Sequence, residues 1–173
     1  RVVWASCMVA CGDADGAVTG NTRRFGASLE KIKQVVNVRS GEIMFGLNLV
    51  VYKGKTIFVG DTSVHEYPTS EQMAEIAMSA ARVVRLFGFE PKVAFVSHSK
   101  IVGNANILIM PGQHSAAISY KMMKSLGDTK VIGPLLIGLG LPIEIAPLRS
   151  STSEILNLAS VAAYSADIID YKK

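Results

Sequence analysis

The residues able to do chemistry in this sequence are few and scattered. Cys7 and Cys11 stand four positions apart, on one face of a helix if Val2–Cys11 is helical. No histidine cluster supports them, so they read as buried structural thiols in a reducing compartment rather than as a zinc site. Asp13 and Asp15 lie in Asp13-Ala14-Asp15-Gly16, where forming the turn explains them better than binding a metal. Arg23 and Arg24 place two cations just after Gly20, and Arg149 places another before Ser151. Ser97 and Ser99 follow the apolar run Lys92–Val96. Past the C-terminal end of a strand they would sit at the ligand-binding edge of an open α/β sheet, with ordinary loop polarity as the competing reading. His114 and Ser115 open a helical segment after Pro111-Gly112, facing a ligand or simply neighbouring a cap. Ser151 and Glu154 have the spacing of a capping box, and His65 and His98 have no identifiable partner.

The elements that must position these groups follow from periodicity. Val2–Cys11 reads as a helix stopped by Gly12, Ala17–Thr19 as a short buried strand ending at Gly20, and Ser28–Val36 as a helix with Leu29, Ile32 and Val36 inward. Ile43–Tyr52 and Thr56–Val59 are β-rich runs around Lys53-Gly54-Lys55, a hairpin with glycine where a positive φ is needed. Thr69 and Gln72 predict a capping box, followed by Met73, Ile76, Ala77, Ala80, Val84 and Phe87 at helical spacing up to Gly88. Strands are expected at Lys92–Val96 and Asn106–Met110. A helix near Ser115 then carries Ile118, Met122 and Leu126, strands lie around Val131 and Ile143, and a last helix has Ile155, Leu158, Ala159, Ala162, Ala166 and Ile169 on one face.

Alternating strands and helices predict an α/β fold, a largely parallel sheet with helices on both faces plus a β-hairpin. One connection conflicts with that plan. Nine residues, Ser97–Ala105, separate two strands that should be parallel, whereas a parallel crossover needs about a dozen or more. Either the pair is antiparallel or a segment is missing near Ser99-Lys100, and the second option is favoured. The start at Arg1, inside a helix without an N-cap, points to a missing N-terminal part as well.

Composition narrows the function classes. With 173 residues, 49% of them apolar, the chain can bury one core or two small lobes. Its 18 basic and 14 acidic residues give a net charge of +4, but they are dispersed. No basic stripe with interleaved aromatics marks a nucleic-acid surface. No signal peptide opens the chain, and a cytoplasmic location is expected. Val131–Leu148 carries one charge, Glu144, but Pro134, Pro142 and Pro147 break it into pieces well short of the ~20 residues of a membrane span. No membrane or nucleic-acid partner is expected.

Four segments carry a resemblance to the phosphate acetyl/butyryltransferase family, most of all to the copy fused to the C-terminus of bacterial NADP-dependent malic enzymes. They are Cys7–Gly16 with Val18-Thr19-Gly20; Gly60–Thr69; Ala105–Pro111 with His114-Ser115-Ala116; and Val131–Leu136 with Gly138-Leu139. Order and spacing are similar throughout except at Ser99-Lys100, where the family carries several dozen further residues. The resemblance implies a two-lobed, isocitrate dehydrogenase-like architecture. On this reading residues 1–173 form an incomplete phosphotransacetylase-like domain.

The resemblance also implies a parent chain whose N-terminal malic-enzyme region decarboxylates malate with NADP and a divalent metal, Mg or Mn. Neither a Gly-x-Gly-x-x-Gly turn nor a metal-binding acidic cluster occurs here. Active family members place a Ser-Arg pair before the last long helix, with an aspartate a little further on. The matching positions are Pro147 and Leu148, with Glu154 at the aspartate, and a second family arginine falls on Glu30. Pro147 and Leu148 cannot hold a phosphate, and Glu30 would repel one. Arg149, one position out of register, and Arg23 and Arg24 could compensate. A ligand site for acetyl-CoA or phosphate would draw on Ser97, Ser99, Arg23, Arg24, His114, Ser115 and the Pro147-Leu148-Arg149 turn with Glu154. No residue is assigned a catalytic role. Three functions stay open: an acetyl-CoA-binding regulatory domain of a homo-oligomeric malic enzyme, an active transferase, or an oligomerisation module.

Overall fold

The computed structural model describes residues 1–96 and 103–168. Ser97, His98, Ser99 and Lys100, and the C-terminal Ile169, lie outside the described residues. Twelve elements form in chain order: α1 (Val2–Cys11), β1 (Ala17–Gly20), α2 (Phe25–Ile32), β2 (Phe45–Tyr52), β3 (Lys55–Gly60), α3 (Ser70–Leu86), β4 (Val93–Phe95), β5 (Ile107–Ile109), α4 (Gln113–Ser125), β6 (Thr129–Ile137), β7 (Ile143–Ala146) and α5 (Thr152–Ile168).

A five-stranded sheet runs in the order β4-β5-β3-β2-β6, and β1 and β7 make a separate parallel pair. Strands β4, β5 and β3 are parallel, while β2 runs antiparallel to both β3 and β6. Thus β2 is the one reversed strand of its sheet. The β2–β3 hairpin pairs Tyr52 with Lys55, and Lys53 and Gly54 both take positive φ, the two-residue turn that matches strand twist.

Side-chain alternation puts helices on both faces, as expected. Leu49 and Phe58 point to a core with Ile76, Ala80 and Val84 of α3 and Leu158 of α5. Their neighbours Val50 and Val59 point the other way, onto Ala116 of α4. The β1–β7 pair is covered similarly. Ile143 and Ile145 pack with Val9, Leu29 and Ile32 of α1 and α2, and Ala146 joins the core that holds Leu158. Helix α5 touches β1, β7 and β6 and so joins the two lobes. Its Leu158 and Ala162 are buried and Ile155 packs against the core, as its apolar period requires.

The β4–β5 pair is parallel, as the favoured reading expects, which removes the antiparallel option for the short connection. Several other expectations are corrected. Cys7 is only half-buried and Cys11 is exposed, because α1 is apolar all round and seats just Ser6 and Val9 inward. Trp4, on the open side, is 73% exposed. Helix α2 starts and stops earlier than predicted, since Phe25 joins the core and the chain then turns toward the bridge between Val38 and Leu139. Ile118 and Met122 of α4 and its C-cap Leu126 are exposed; that helix docks instead through Ala116, Tyr120 and Met123. No helix among the described residues is long and apolar enough to cross a membrane.

Candidate functional site

Parallel pairing of β1 with β7 sets Gly20 beside Ala146, so the loops leaving both strands emerge at one edge. Backbone bonds tie them: the Asn21 N–H donates to Ala146 O (2.9 Å) and the Arg149 N–H donates to Asn21 O (3.0 Å). Gly20 has φ +100, and a Cβ there would strike the Ala146 carbonyl, so the close approach needs glycine. Asn21 takes a left-handed conformation and its Oδ1 is buried without a partner among the described residues.

Beside this edge a cleft of about 460 Å³ opens between the lobes, lined among others by Glu30 of α2, Thr62 and Ser63 after β3, Gln113 and Lys121 of α4, and Pro147 after β7. A buried carboxylate shapes one wall. Asp61 accepts the backbone N–H groups of Gly46, Ser63, Val64 and His65 at 2.7 to 3.2 Å. His65 Nδ1 stands 2.8 Å from Asp61 Oδ2, so His65 does have a partner, and a structural one. Opposite, burial raises the phenol of Tyr120 above its ordinary range, with the charge of Lys124 opposing.

The expected site residues divide. Pro147 and Glu30 share the cleft. Arg23 lies nearby in a separate pocket of about 560 Å³ with Thr19, Thr22 and Lys31, and Arg24 is the N-cap residue of α2. Leu148 and Arg149 are exposed on the turn beside them, and Arg149 has φ +63. Glu154 is taken up by capping: it accepts the N–H of Ser151 (2.8 Å) and the ammonium of Lys124 (2.9 Å), while the Glu154 N–H donates to Ser151 Oγ (3.3 Å). His114 is exposed, 3.8 Å from Glu66. Ser115 spends its hydroxyl on Gly112 O (2.7 Å). Ser97 and Ser99 are outside the described residues. Thr62, Ser63, Gln113, Tyr120 and Lys121 are absent from the sequence-based set. The available signal was the place of Thr62, Ser63 and Gln113 soon after the C-terminal ends of β3 and β5, whereas Tyr120 and Lys121 lie two turns into α4.

Chemically, the cleft pairs one lysine with one glutamate and several hydroxyl and amide groups over apolar walls. That can hold a polar chain with an apolar arm. Among the described residues it offers no adjacent nucleophile and base, and no cluster of cations to stabilise phosphoryl charge.

Comparison with known proteins gives a consistent account. The sequence matches the phosphate acetyl/butaryl transferase family in two segments, residues 1–102 and 98–163. It is 34% identical to an NADP-dependent malic enzyme of Rhizobium meliloti (strain 1021), over 94% of this chain but 28% of that protein. The alignment spans 213 positions against about 163 residues here (94% of 173). It is 24% identical to a phosphate acetyltransferase of Corynebacterium glutamicum, over 94% of this chain and 65% of that one. A phosphotransacetylase from Streptococcus pyogenes superposes with a TM-score of 0.87 at 22% identity, over 95% of this chain and 67% of that chain, which establishes the fold. The chain therefore spans less than a third of the malic enzyme that it matches.

Proposed function

This chain belongs to the phosphate acetyl/butaryl transferase family, and from that premise we propose that it is the regulatory phosphotransacetylase-like domain of an NADP-dependent malic enzyme. It binds acetyl-CoA as an effector, contributes to oligomerisation, and does not itself transfer acyl groups. The observation carrying this reading is that Pro147 and Glu30 line the same inter-lobe cleft, where the resemblance implies a serine and an arginine to hold phosphate; proline can neither donate nor carry charge, and a glutamate would repel the anion. Malate decarboxylation, NADP and the divalent metal belong on this reading to the malic-enzyme region of a longer chain.

Two features support effector binding. The cleft has the size and mixed lining that a pantetheine arm needs, and Arg23, Lys31 and Arg149 lie along the linked β1 and β7 edge for the nucleotide phosphates. The same reading takes the chain as shortened between β4 and β5 relative to its relatives. Eleven residues, 96–106, join a parallel pair, and the alignment surplus is consistent with a segment absent near Ser99-Lys100.

Calorimetric titration of acetyl-CoA into the purified chain, beside malate oxidation by the full-length enzyme with and without acetyl-CoA, tests the proposal. Saturable binding together with lowered malate turnover is expected. Charge reversal, Arg149→Glu, should weaken the binding. Neither binding nor a change in turnover would leave oligomerisation as the domain's only role.

A further inference from the structure

The connections of the five-stranded sheet share one hand. β3 reaches β4 through α3, on the sheet face that carries Phe58. β5 reaches β6 through α4, on the opposite face with Val59. Both join parallel strands, since β3 and β6 each run antiparallel to β2. In the order β4-β5-β3-β2-β6, the first steps toward the β4 edge and the second toward the β6 edge. Reversing both step and face preserves the hand, and nearly all such crossovers are right-handed. A crossover from β4 to β5 steps toward β6, so the same hand puts it on the face of α4 and not on that of α3.

That face is open beside α4. The helix lies over β2, β3 and β6, and the flank that carries Gln113, Ala117 and Lys121 lines the inter-lobe cleft with Pro134 of β6. Away from the cleft, toward β5 and β4, Ile118, Met122 and the C-cap Leu126 recur every fourth residue and are 59%, 64% and 70% exposed. Leu108 and Ala94 lie in register with Val59 on the same face and are only half-buried, whereas Ile107 and Ile109 on the α3 face are buried. An apolar row at helical spacing beside a half-covered sheet is the seat of another helix.

The relatives have the chain to fill it. The alignments with the malic enzyme and the phosphate acetyltransferase span 213 and 215 positions, each about 50 more than the residues of this chain that they cover. The family match divides into residues 1–102 and 98–163, which places the surplus between β4 and β5. We propose that the natural chain carries about 50 further residues there, including a crossover helix that packs on Ile118, Met122 and Leu126. Strands lie about 4.8 Å apart, so a helix above β4 and β5 has its axis roughly 12 Å from that of α4, close to the diameter of a helix with its side chains. This inference rests on the reading above only in taking the chain as shortened between β4 and β5. It needs no acetyl-CoA, and its test uses none.

The test follows maleimide labelling of Met122→Cys and Val93→Cys by mass spectrometry, in the 173-residue chain, in the full-length enzyme, and in that enzyme with the extra segment excised. Val93 is 40% exposed and in register with Phe58 on the α3 face, where a left-handed crossover would lie. Met122→Cys should react on the order of tenfold or more slowly in the full-length enzyme than in the shorter chain. Excision should restore its fast labelling and leave Val93→Cys unchanged. Where excision prevents folding, Met122→Lys decides: it should lower the melting temperature of the full-length enzyme by burying an unpaired charge, and leave that of the shorter chain unchanged. A gene that joins β4 to β5 through residues 97–102 alone would overturn the proposal. So would equal labelling of Met122→Cys in both proteins, protection that survives excision and so belongs to another region or subunit, or protection found at Val93→Cys instead. Concentration-dependent protection in the shorter chain would give the face to a second copy and overturn it as well.

Discussion

Glu144 and Glu154 flank the turn after β7 and titrate in opposite directions. The Lys124 ammonium and then the Ser151 N–H hold the Glu154 carboxyl down at about 2. A carboxyl held below its unfolded value adds stability above that value and loses it as pH falls through the folded one. Glu154 is partly exposed, so screening leaves roughly 1 kcal/mol. Glu154→Ala should therefore unfold about 1 kcal/mol more easily in urea at pH 7, and the charge contribution to that gap should close between pH 4.5 and 2. Glu144 behaves in reverse. Its unfolded form ionises above about 4.5 while the folded form keeps its proton to about 8, so across that window rising pH favours the unfolded chain. The melting temperature of Glu144→Gln should accordingly rise relative to wild type from pH 5 to pH 8. A constant difference over that range would mean that Glu144 is not titrating as its burial requires. At this scale the sequence showed Pro147, Glu30 and the capping role open to Glu154. It could not show Thr62, Gln113 or Lys121 beside them, because that convergence depends on β3 and β5 lying side by side in the sheet.

Elements were legible wherever local chemistry decides. Thr69 and Gln72 do form the reciprocal capping box that starts α3, Gly12 ends α1 with φ +82, and Lys53-Gly54 makes the hairpin turn. Legibility failed where packing decides. The apolar spacing of Ile118, Met122 and Leu126 marks a face of α4 but not which face is inside, and α1 has no polar side to orient it. The direction of β4 against β5 was likewise open until the sheet order was known. The tightest joint between elements is the approach of Gly20 to Ala146. Gly20→Ala adds a left-handed strain of about 1 to 2 kcal/mol and drives a methyl group into a carbonyl that already accepts the Asn21 N–H. Gly12→Ala meets only the strain, since nothing lies within 4 Å of a Cβ there. Denaturant titration should find Gly12→Ala near 1 kcal/mol and Gly20→Ala above about 2 kcal/mol. Equal costs would show that the β1–β7 edge relaxes freely.

For the molecule as a whole, the deciding question is whether a phosphotransacetylase fold with Pro147 and Leu148 where the resemblance implies a phosphate-holding Ser-Arg pair still works as one. Attack of a thiol on an acyl phosphate gathers negative charge on the phosphoryl oxygens, and each missing donor costs on the order of a hundredfold or more in rate. Pro147 stands in the cleft where the resemblance implies a serine, with Glu30 of α2 in the same lining, while Leu148 is turned out to solvent. Two lost contacts and one added repulsion would together slow exchange by roughly ten-thousandfold or more. A binding role tolerates these losses far better, because an effector needs affinity for the ground state only. Regulation then requires that acetyl-CoA prefer one arrangement of the assembly, since equal affinity shifts nothing. A tenfold preference corresponds to about 1.4 kcal/mol, within reach of a few phosphate and pantetheine contacts. Helix α5 is the element suited to carry it, because it touches both lobes and begins just after the Pro147-Leu148-Arg149 turn. We therefore expect exchange of acetyl groups between acetyl phosphate and coenzyme A by the purified chain to stay at background, while acetyl-CoA lowers malate turnover of the full-length enzyme. Exchange at the rate of a phosphotransacetylase, lost in Arg149→Ala, would instead show that Arg149 replaces the missing phosphate contacts and that the domain is a transferase.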